Sequence, residues 1–400
     1  MKKTLVITAI ILTGICSSCE IGYNSSFNHS DGRTTINIRD ETGRMAIEYR
    51  GDITLTDDET AIESISPGGY LKYEKNNIKV EAQNNTNGEV VCKVYDDNNE
   101  IPLNDKRQRA LSNAIKQMIN VGFDAKGRAG RLYKKGGTSG VLDDIAYLKN
   151  DYVKSLYFQY LLAIDSLSEN EMTAIAKGIG LQLGSDYEKG QLLGKVAAGY
   201  LKSDQTFKAY MDAVKSIGSD YEKANALKNV IKLQLTDGQV AELLVVTNTI
   251  SSDFEKANVL KELTAKDINT EEVFDRFLDV TNGIGSDYEK ANVLKQLVES
   301  GVFAGPVFNK LINVTGNIGS DFEKANVLKK LAEVDFTTED EWVSLINGTA
   351  KVSSNFEKSN VMVMIAKKMP KSERVRNAYM EVAKTVTSDM EYSSVMKAVQ

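Results

Sequence analysis

The sequence predicts an α+β multidomain chain, a small antiparallel β module followed by an α-solenoid of about eight two-helix repeats. Two observations carry this. A cassette returns seven times, as GSDYEKGQLL, GSDYEKANAL, SSDFEKANVL, GSDYEKANVL, GSDFEKANVL, SSNFEKSNVM and TSDMEYSSVM. Its third residue falls at Asp186, Asp220, Asp253, Asp287, Asp321, Asn355 and Asp389, in steps of 33 or 34 residues. A fixed step of that size marks stacked supersecondary units, each burying its apolar face against its neighbours. Upstream, the short runs TTINI, MAIEY, DITLT, YLKYE, NIKVEA and VVCKVY alternate in part between Thr34 and Tyr95 and are separated by turn residues. That pattern reads as five or six antiparallel strands in a small sheet or sandwich.

The elements follow in chain order. Lys2 and Lys3 precede an apolar run from Leu5 to Ile15, then Cys16-Ser17-Ser18-Cys19. A basic start, a short apolar stretch and small residues read as a secretory signal over residues 1–19. The run is too short for a stable membrane span. The segment resembles a bacterial lipoprotein signal, which implies Cys19 as the lipid-attachment residue. Cys16 stands where that pattern has Leu, and cleavage after Ser18 without lipidation is the alternative. Residues 20–32, EIGYNSSFNHSDG, are expected to form a flexible tether.

The β module is expected over 33–101, with turns at Glu41-Thr42-Gly43, Pro67-Gly68-Gly69, Asn76-Asn77 and Asn87-Gly88. A helical connector covers 102–149, with helices at 103–122 and 124–135, breaks at Gly122 and Gly136-Gly137, and a further helix from about 139. The solenoid spans 150–400, opening on a worn cassette, Asn150-Asp151-Tyr152-Val153-Lys154, 35 residues before Asp186.

Each cassette explains its own helix start. Ser followed three residues later by Glu is a capping box, at Ser185/Glu188, Ser219/Glu222, Ser252/Glu255, Ser286/Glu289, Ser320/Glu323, Ser354/Glu357 and Ser388/Glu391. Such a cap contributes about 1 kcal/mol. The Asp in the first turn suits the positive end of the helix dipole. The second helices carry boxes at Ser168/Glu171, Thr236/Gln239 and Thr338/Glu341, and Pro306 suits a first helical position.

Composition narrows function. Forty-nine Lys and Arg against 55 Asp and Glu leave a net charge of −6, which argues against a nucleic-acid partner. One stretch is basic: Lys106, Arg107, Arg109, Lys116, Lys126, Arg128, Arg131, Lys134 and Lys135 face a single acid, Asp124. A solvated helical surface is the plain reading, and contact with anionic headgroups or another acidic surface the sharper one. The three cysteines are Cys16, Cys19 and Cys92, so no internal disulfide is expected in the mature chain. The single histidine, His29, sits in the expected tether, which leaves no triad and no His-based zinc site in the folded region. No P-loop or HExxH motif occurs. No cofactor or metal and no catalysis are expected.

Features common to every repeat are expected to serve the scaffold, and features that vary to serve recognition. Lys154, Lys189, Lys223, Lys256, Lys290, Lys324 and Lys358 border the buried stripe. Their stems are expected to pack while the ammonium meets the Asp three residues earlier or an acid on the next unit. Asn225, Asn258, Asn292, Asn326 and Asn360 are expected to bond a loop carbonyl, with an exposed recognition ladder as the alternative. Tyr147, Tyr152, Tyr157, Phe158 and Tyr160 concentrate where the array begins, either as packing or as an exposed aromatic platform. Met362, Met364, Met369, Met380, Met390 and Met396 are core filler or a pliable peptide groove.

The S-D-[YF]-E-K cassette at this step, with ISPGGYLKYE at 65–74, resembles a group of little-characterised bacterial envelope proteins that carry a small β module before helical repeats. Similar repeats follow the membrane metallopeptidase part of some β-lactamase-regulator-type sensors, whose catalytic motif is absent here. The period also matches tetratricopeptide repeats, without their Trp, Gly-Tyr and Pro signature. The resemblance implies an envelope location, in the inner or outer membrane, facing periplasm or cell surface. The expected function is a lipid-anchored, non-catalytic scaffold binding a protein or peptide partner along its repeats. Alternatives are surface carbohydrate binding through Tyr147, Tyr152, Tyr157 and Tyr160, or a regulatory module of envelope signalling. Oligomeric state is left open.

Overall fold

Alternation between apolar and polar residues builds the first part of the chain into a sheet with one buried face. The computed structural model describes residues 24–400 apart from 31, 42, 86, 198–200, 202, 264–267, 269 and 302–305, with the backbone alone for 24–29, 40 and 306. The strands are β1 (Asn24–Ser30), β2 (Arg33–Asp40), β3 (Gly43–Arg50), β4 (Ile53–Leu55), β5 (Ile62–Ile65), β6 (Tyr70–Lys75), β7 (Ile78–Asn84), β8 (Val90–Asp96) and β9 (Asn99–Glu100). Seven form one antiparallel sheet in the order β1-β2-β3-β6-β7-β8-β9, and β4 pairs with β5. The turns expected at Pro67-Gly68-Gly69, Asn76-Asn77 and Asn87-Gly88 form, and β2 pairs with β3 up to Asp40↔Gly43, with Thr42 outside the described residues. Asn76, at φ 54°, closes β6 to β7, and Gly68 and Gly88 take φ 73° and 84°. Gly69 is required by crowding, since a Cβ there would lie 2.7 Å from the Arg50 carbonyl oxygen.

One expectation is corrected at the start. Residues 24–30, assigned to a flexible tether, form β1, which pairs along its length with β2 from Asn24↔Arg39 to Ser30↔Arg33. Edge pairing is made by backbone groups, so it needs no apolar side chains. The overlooked signal is Asp-Gly at 31–32, a two-residue hairpin connection. Gly32 takes φ 73°. Lys2, Lys3 and Cys19 lie outside the described residues.

A second expectation is redrawn. The β module and the helical connector are one body. Helix α1 (Asp105–Ile119) lays Ala114, Ile115, Met118 and Ile119 into the same core as Ile36, Ile47, Leu71, Tyr73, Val80 and Val94. A sheet with one apolar face needs a covering layer, and α1 supplies it. The Tyr73 hydroxyl donates to Gln117 Oε1 at 2.9 Å, and burial pushes its pKa up to about 12. Helices α2 (Ala125–Ile145) and α3 (Asp151–Leu162) complete this unit, and Gly137 at φ 61° kinks α2 where Gly136-Gly137 foretold a break.

The chain divides between Asp165 and Ser166. The worn cassette helix α3 therefore groups with the sheet. The second unit is a helical-repeat array in two stacks. One contains α4 (Glu169–Gln182), α6 (Asp204–Lys215), α8 (Asp237–Thr247), α10 (Glu271–Asn282), α12 (Pro306–Gly316), α14 (Glu339–Thr349) and α16 (Glu373–Ala383). The other contains the cassette helices α5 (Asp186–Ala197), α7 (Asp220–Ile231), α9 (Asp253–Glu262), α11 (Asp287–Ser300), α13 (Asp321–Ala332), α15 (Asn355–Lys368) and α17 (Asp389–Ala398). Each helix packs on the next of its own stack and on its partner across the layer. Leu and Val of the cassette helices and Phe207, Phe277, Phe308, Trp342 and Tyr379 of the partner helices fill the space between them.

Candidate functional site

The cassette divides by direction. Its Ser, Asp and Lys turn towards the protein. Ser219, Ser252, Ser286, Ser320 and Ser354 cap their helices, each hydroxyl accepting the N–H of the Glu three residues on at 3.3 or 3.4 Å. The Asp does more than favour a dipole. Asp186 accepts the amides of Gly218 and Ser219, at 3.0 and 2.7 Å, in the turn that leads from α6 to α7. Asp220 takes Ser251 and Ser252, Asp253 takes Gly285 and Ser286, Asp287 takes Gly319 and Ser320, and Asp321 takes Ser353 and Ser354. The small residue before each cassette Ser makes room. A Cβ at Gly285 would stand 3.1 Å from Asp253 Oδ2.

This corrects the capping boxes expected at the cassettes. At Ser219, Ser252, Ser286, Ser320 and Ser354 the Ser amide is taken by the Asp of the previous cassette helix, so only the Ser half of the box forms, and at Ser388 the hydroxyl donates to Glu391 and makes no cap. Complete boxes occur at the partner helices α4, α8 and α14, where Ser168, Thr236 and Thr338 had been assigned them. Two of the displaced carboxylates meet Lys of the preceding cassette helix, Glu357 with Lys329 at 2.9 Å and Glu289 with Lys261 at 3.6 Å.

The Lys grips the other polarity of the same turn. Lys189, Lys223, Lys256, Lys290, Lys324 and Lys358 are 5–7% exposed. Lys189 Nζ donates to the Ser216 carbonyl oxygen at 3.1 Å, and Lys324 Nζ to that of Lys351 at 2.9 Å and to Asp321 at 3.3 Å. An ammonium at a helix C-terminus faces the negative end of the dipole. Burial pushes Asp321 up, but the Ser353 and Ser354 amides and Lys324 more than offset this and hold it below the usual range. The last staple is altered. Asn355 accepts only the Thr387 amide, at 3.0 Å, and Lys358 reaches the Thr385 hydroxyl at 3.0 Å. With Asn in place of the cassette Asp at position 355, Lys358 is pushed down by burial, with the Asp321 charge opposing.

The cassette aromatic points the opposite way. Tyr187, Tyr221, Phe254, Tyr288, Phe322 and Phe356 are 46, 59, 57, 60, 58 and 62% exposed, and Met390, which takes this position in the last cassette, is 73% exposed. One turn on, Asn225, Asn258, Asn292, Asn326 and Asn360 share that face and are half-buried. Their carboxamides meet no partner among the described residues, so the expected bond to a loop carbonyl is absent. At α15 and α17 the face deepens into a groove of about 620 Å³ lined by Phe356, Asn360, Met364, Lys367, Met390 and Ser394 among others. Met362, by contrast, is core. The sequence conceals the row because a feature common to every cassette reads as scaffold. The available signal was an aromatic at the second helical position, ahead of the apolar stripe.

The residues singled out at the start of the array separate. Tyr147 and Tyr152 are 85 and 45% exposed, whereas Tyr157 and Phe158 are fully buried. Tyr157 is therefore corrected from surface to interior. Its hydroxyl accepts from Arg128 Nη1 at 3.1 Å, and burial pushes its pKa up to about 12. Tyr160 is half-buried against Tyr133, ring centroids 6.3 Å apart. The basic stretch is largely spent internally. Arg128 pairs with Glu59 and Asp144, Arg131 with Asp124 and Glu59, Lys106 with Asp96, and Lys135 donates to the Asp57 carbonyl. The half-buried Cys92 thiol is pushed up by burial. Among the described residues no group of three or more His, Cys, Asp and Glu is placed to hold a metal ion.

No protein-family model matches the chain, and no curated protein matches it.

Proposed function

We propose that the protein is an exported, lipid-anchored, non-catalytic scaffold, and that the exposed face of its cassette helices binds an extended peptide segment of a partner protein. The observation that carries this is the row of exposed aromatics in register, five of them (Tyr221, Phe254, Tyr288, Phe322 and Phe356) followed one turn later by an Asn carboxamide with no partner among the described residues. A carboxamide offers a donor and an acceptor side by side, which complements the N–H and C=O of a peptide backbone. An aromatic offers a large apolar platform at small entropic cost. Repetition at every second helix suits a ligand that is itself linear. The soft groove carrying Met364 and Met390 would take a bulky side chain at one end.

The anchor is Cys19, and an envelope location agrees with the resemblance of the cassette to repeat proteins of bacterial envelopes. Surface carbohydrate binding is the second reading, favoured by exposed Tyr147 and Tyr152 and weakened by buried Tyr157. The deciding experiment is in-cell photocrosslinking from position 288 or 292, compared with position 212 on α6. A defined protein captured from the cassette positions alone supports the proposal. Equal capture from all three positions, or capture of glycan only, sinks it. Cys19→Ala should release the chain from membranes, and unchanged fractionation would remove the anchor.

A further inference from the structure

The outward face of the seven-stranded sheet has two unlike halves. Across β6, β7 and β8 its charges are complementary: Lys72 stands opposite Glu81, Glu74 opposite Lys79, and Glu81 opposite Lys93. Across β2 and β3 they are alike, Arg33 opposite Arg50 and Arg39 opposite Arg44. All four arginines are exposed, on the face opposite buried Ile36, Ile38, Met45 and Ile47. Like charges directly opposite destabilise an antiparallel pair by about as much as complementary charges help it, roughly 0.2–1 kcal/mol. None of the four makes an ion pair among the described residues. Glu48, the outward carboxylate on these two strands, accepts the Tyr70 hydroxyl at 2.7 Å. The chain as a whole carries −6, so the patch is a local excess rather than general basicity.

Chain position names the occupant. Strand β1 pairs with β2 and begins at Asn24, five residues after Cys19. Five residues reach at most about 17 Å when fully extended. A lipid at Cys19 therefore holds the headgroup layer within a short reach of this ribbon. We propose that the outward face of β2 and β3 docks on the anionic headgroup surface of the membrane through Arg33, Arg39, Arg44 and Arg50. The docking rests on the Cys19 anchor for its choice of occupant. It adds a second, electrostatic attachment that fixes which face of the sheet meets the bilayer. Basic residues near an anionic leaflet act additively and are screened by salt.

The test uses the full chain carrying Cys19→Ala, so that the lipid is absent. Cosedimentation is measured with vesicles of phosphatidylcholine alone or mixed with phosphatidylglycerol. Binding is expected to the mixed vesicles only, and is lost when ionic strength rises from about 0.15 M to about 1 M. Combining Arg33→Gln, Arg39→Gln, Arg44→Gln and Arg50→Gln should weaken it at least about tenfold, whereas Lys72→Gln with Lys93→Gln should weaken it less. The thermal midpoint of the fourfold variant should hold or rise, because repulsion is removed, which separates lost docking from lost folding. Equal binding to both vesicle types, undiminished binding by the fourfold variant, or capture of soluble polyglutamate without vesicle binding would each overturn the docking. Failure of the anchor is read separately. If the parent chain and Cys19→Ala fractionate alike in cells, the lipid reading falls while the vesicle result still judges the patch.

Discussion

The turn-facing and solvent-facing sides of the cassette helices repeat with the same period and differ in every other respect. On the turn-facing side, Ser, Asp and Lys are held by backbone groups, as in Asp287 with the Gly319 and Ser320 amides at 2.9 and 2.7 Å. On the other, the aromatic is exposed and the half-buried Asn beside it has no partner among the described residues. Recurrence therefore does not separate scaffold from recognition. What separates them is whether the chain itself satisfies the side chain.

The comparison breaks first at the staple. Asp287→Ala leaves the turn amides of Gly319 and Ser320 without their carboxylate. A charge-assisted bond contributes about 1.5–3 kcal/mol and two are removed, so a loss of about 3 kcal/mol is expected. Arrays of this kind are held by nearest-neighbour interfaces. The variant should therefore unfold in urea with an earlier midpoint, and its transition should broaden or split at that repeat. A midpoint within error of the parent would mean that the Asp does not hold the turn.

The altered staple sharpens the same point with the opposite sign. Asn355→Asp should restore the second turn amide and give Lys358 a nearby carboxylate. About 1 kcal/mol of added stability is expected at neutral pH. The parent has a pH signature of its own. Lys358 is held below its ordinary value, so between its folded pKa and the unfolded value of about 10.4 the unfolded chain binds more protons and stability rises with pH. Below the folded pKa both states are protonated and the cost stays constant. Asn355→Asp should flatten that rise, measured as the urea midpoint from pH 7 upwards. An unchanged slope would detach Lys358 from position 355.

Much of the fold was legible because its signals are local. The cassette period placed the helices, Ser placed their starts, and Pro306 began α12. Local signals failed where a partner lies far along the chain. Ser219 and Glu222 look like a closed box in sequence, but Asp186, 33 residues earlier, takes the Ser219 amide. Arg128 and Arg131 look like free basic surface, yet they meet Glu59, 69 and 72 residues away. The candidate site was hidden for a related reason. Tyr288 and Lys290 are two positions apart in one motif, and roughly 200° of helical rotation decides that one is exposed and the other buried.

The smallest effect on stability should come from the solvent-facing side, and it is the most informative about function. Tyr288 and Phe322 are 60 and 58% exposed. Replacing both by Ser removes apolar surface that is mostly in water already, and surface changes of this kind stay within about 0.5 kcal/mol. The partner captured at position 288 should nevertheless be lost, because neighbouring platforms of a linear site act together. The two readouts, urea midpoint and crosslinking yield, then move independently. In Asp287→Ala they fall together, since a distorted turn disturbs the spacing of the row. If the double Ser variant instead destabilised the array by as much as the Asp change, the aromatics would be scaffold after all. The two sides of the cassette would then do the same work.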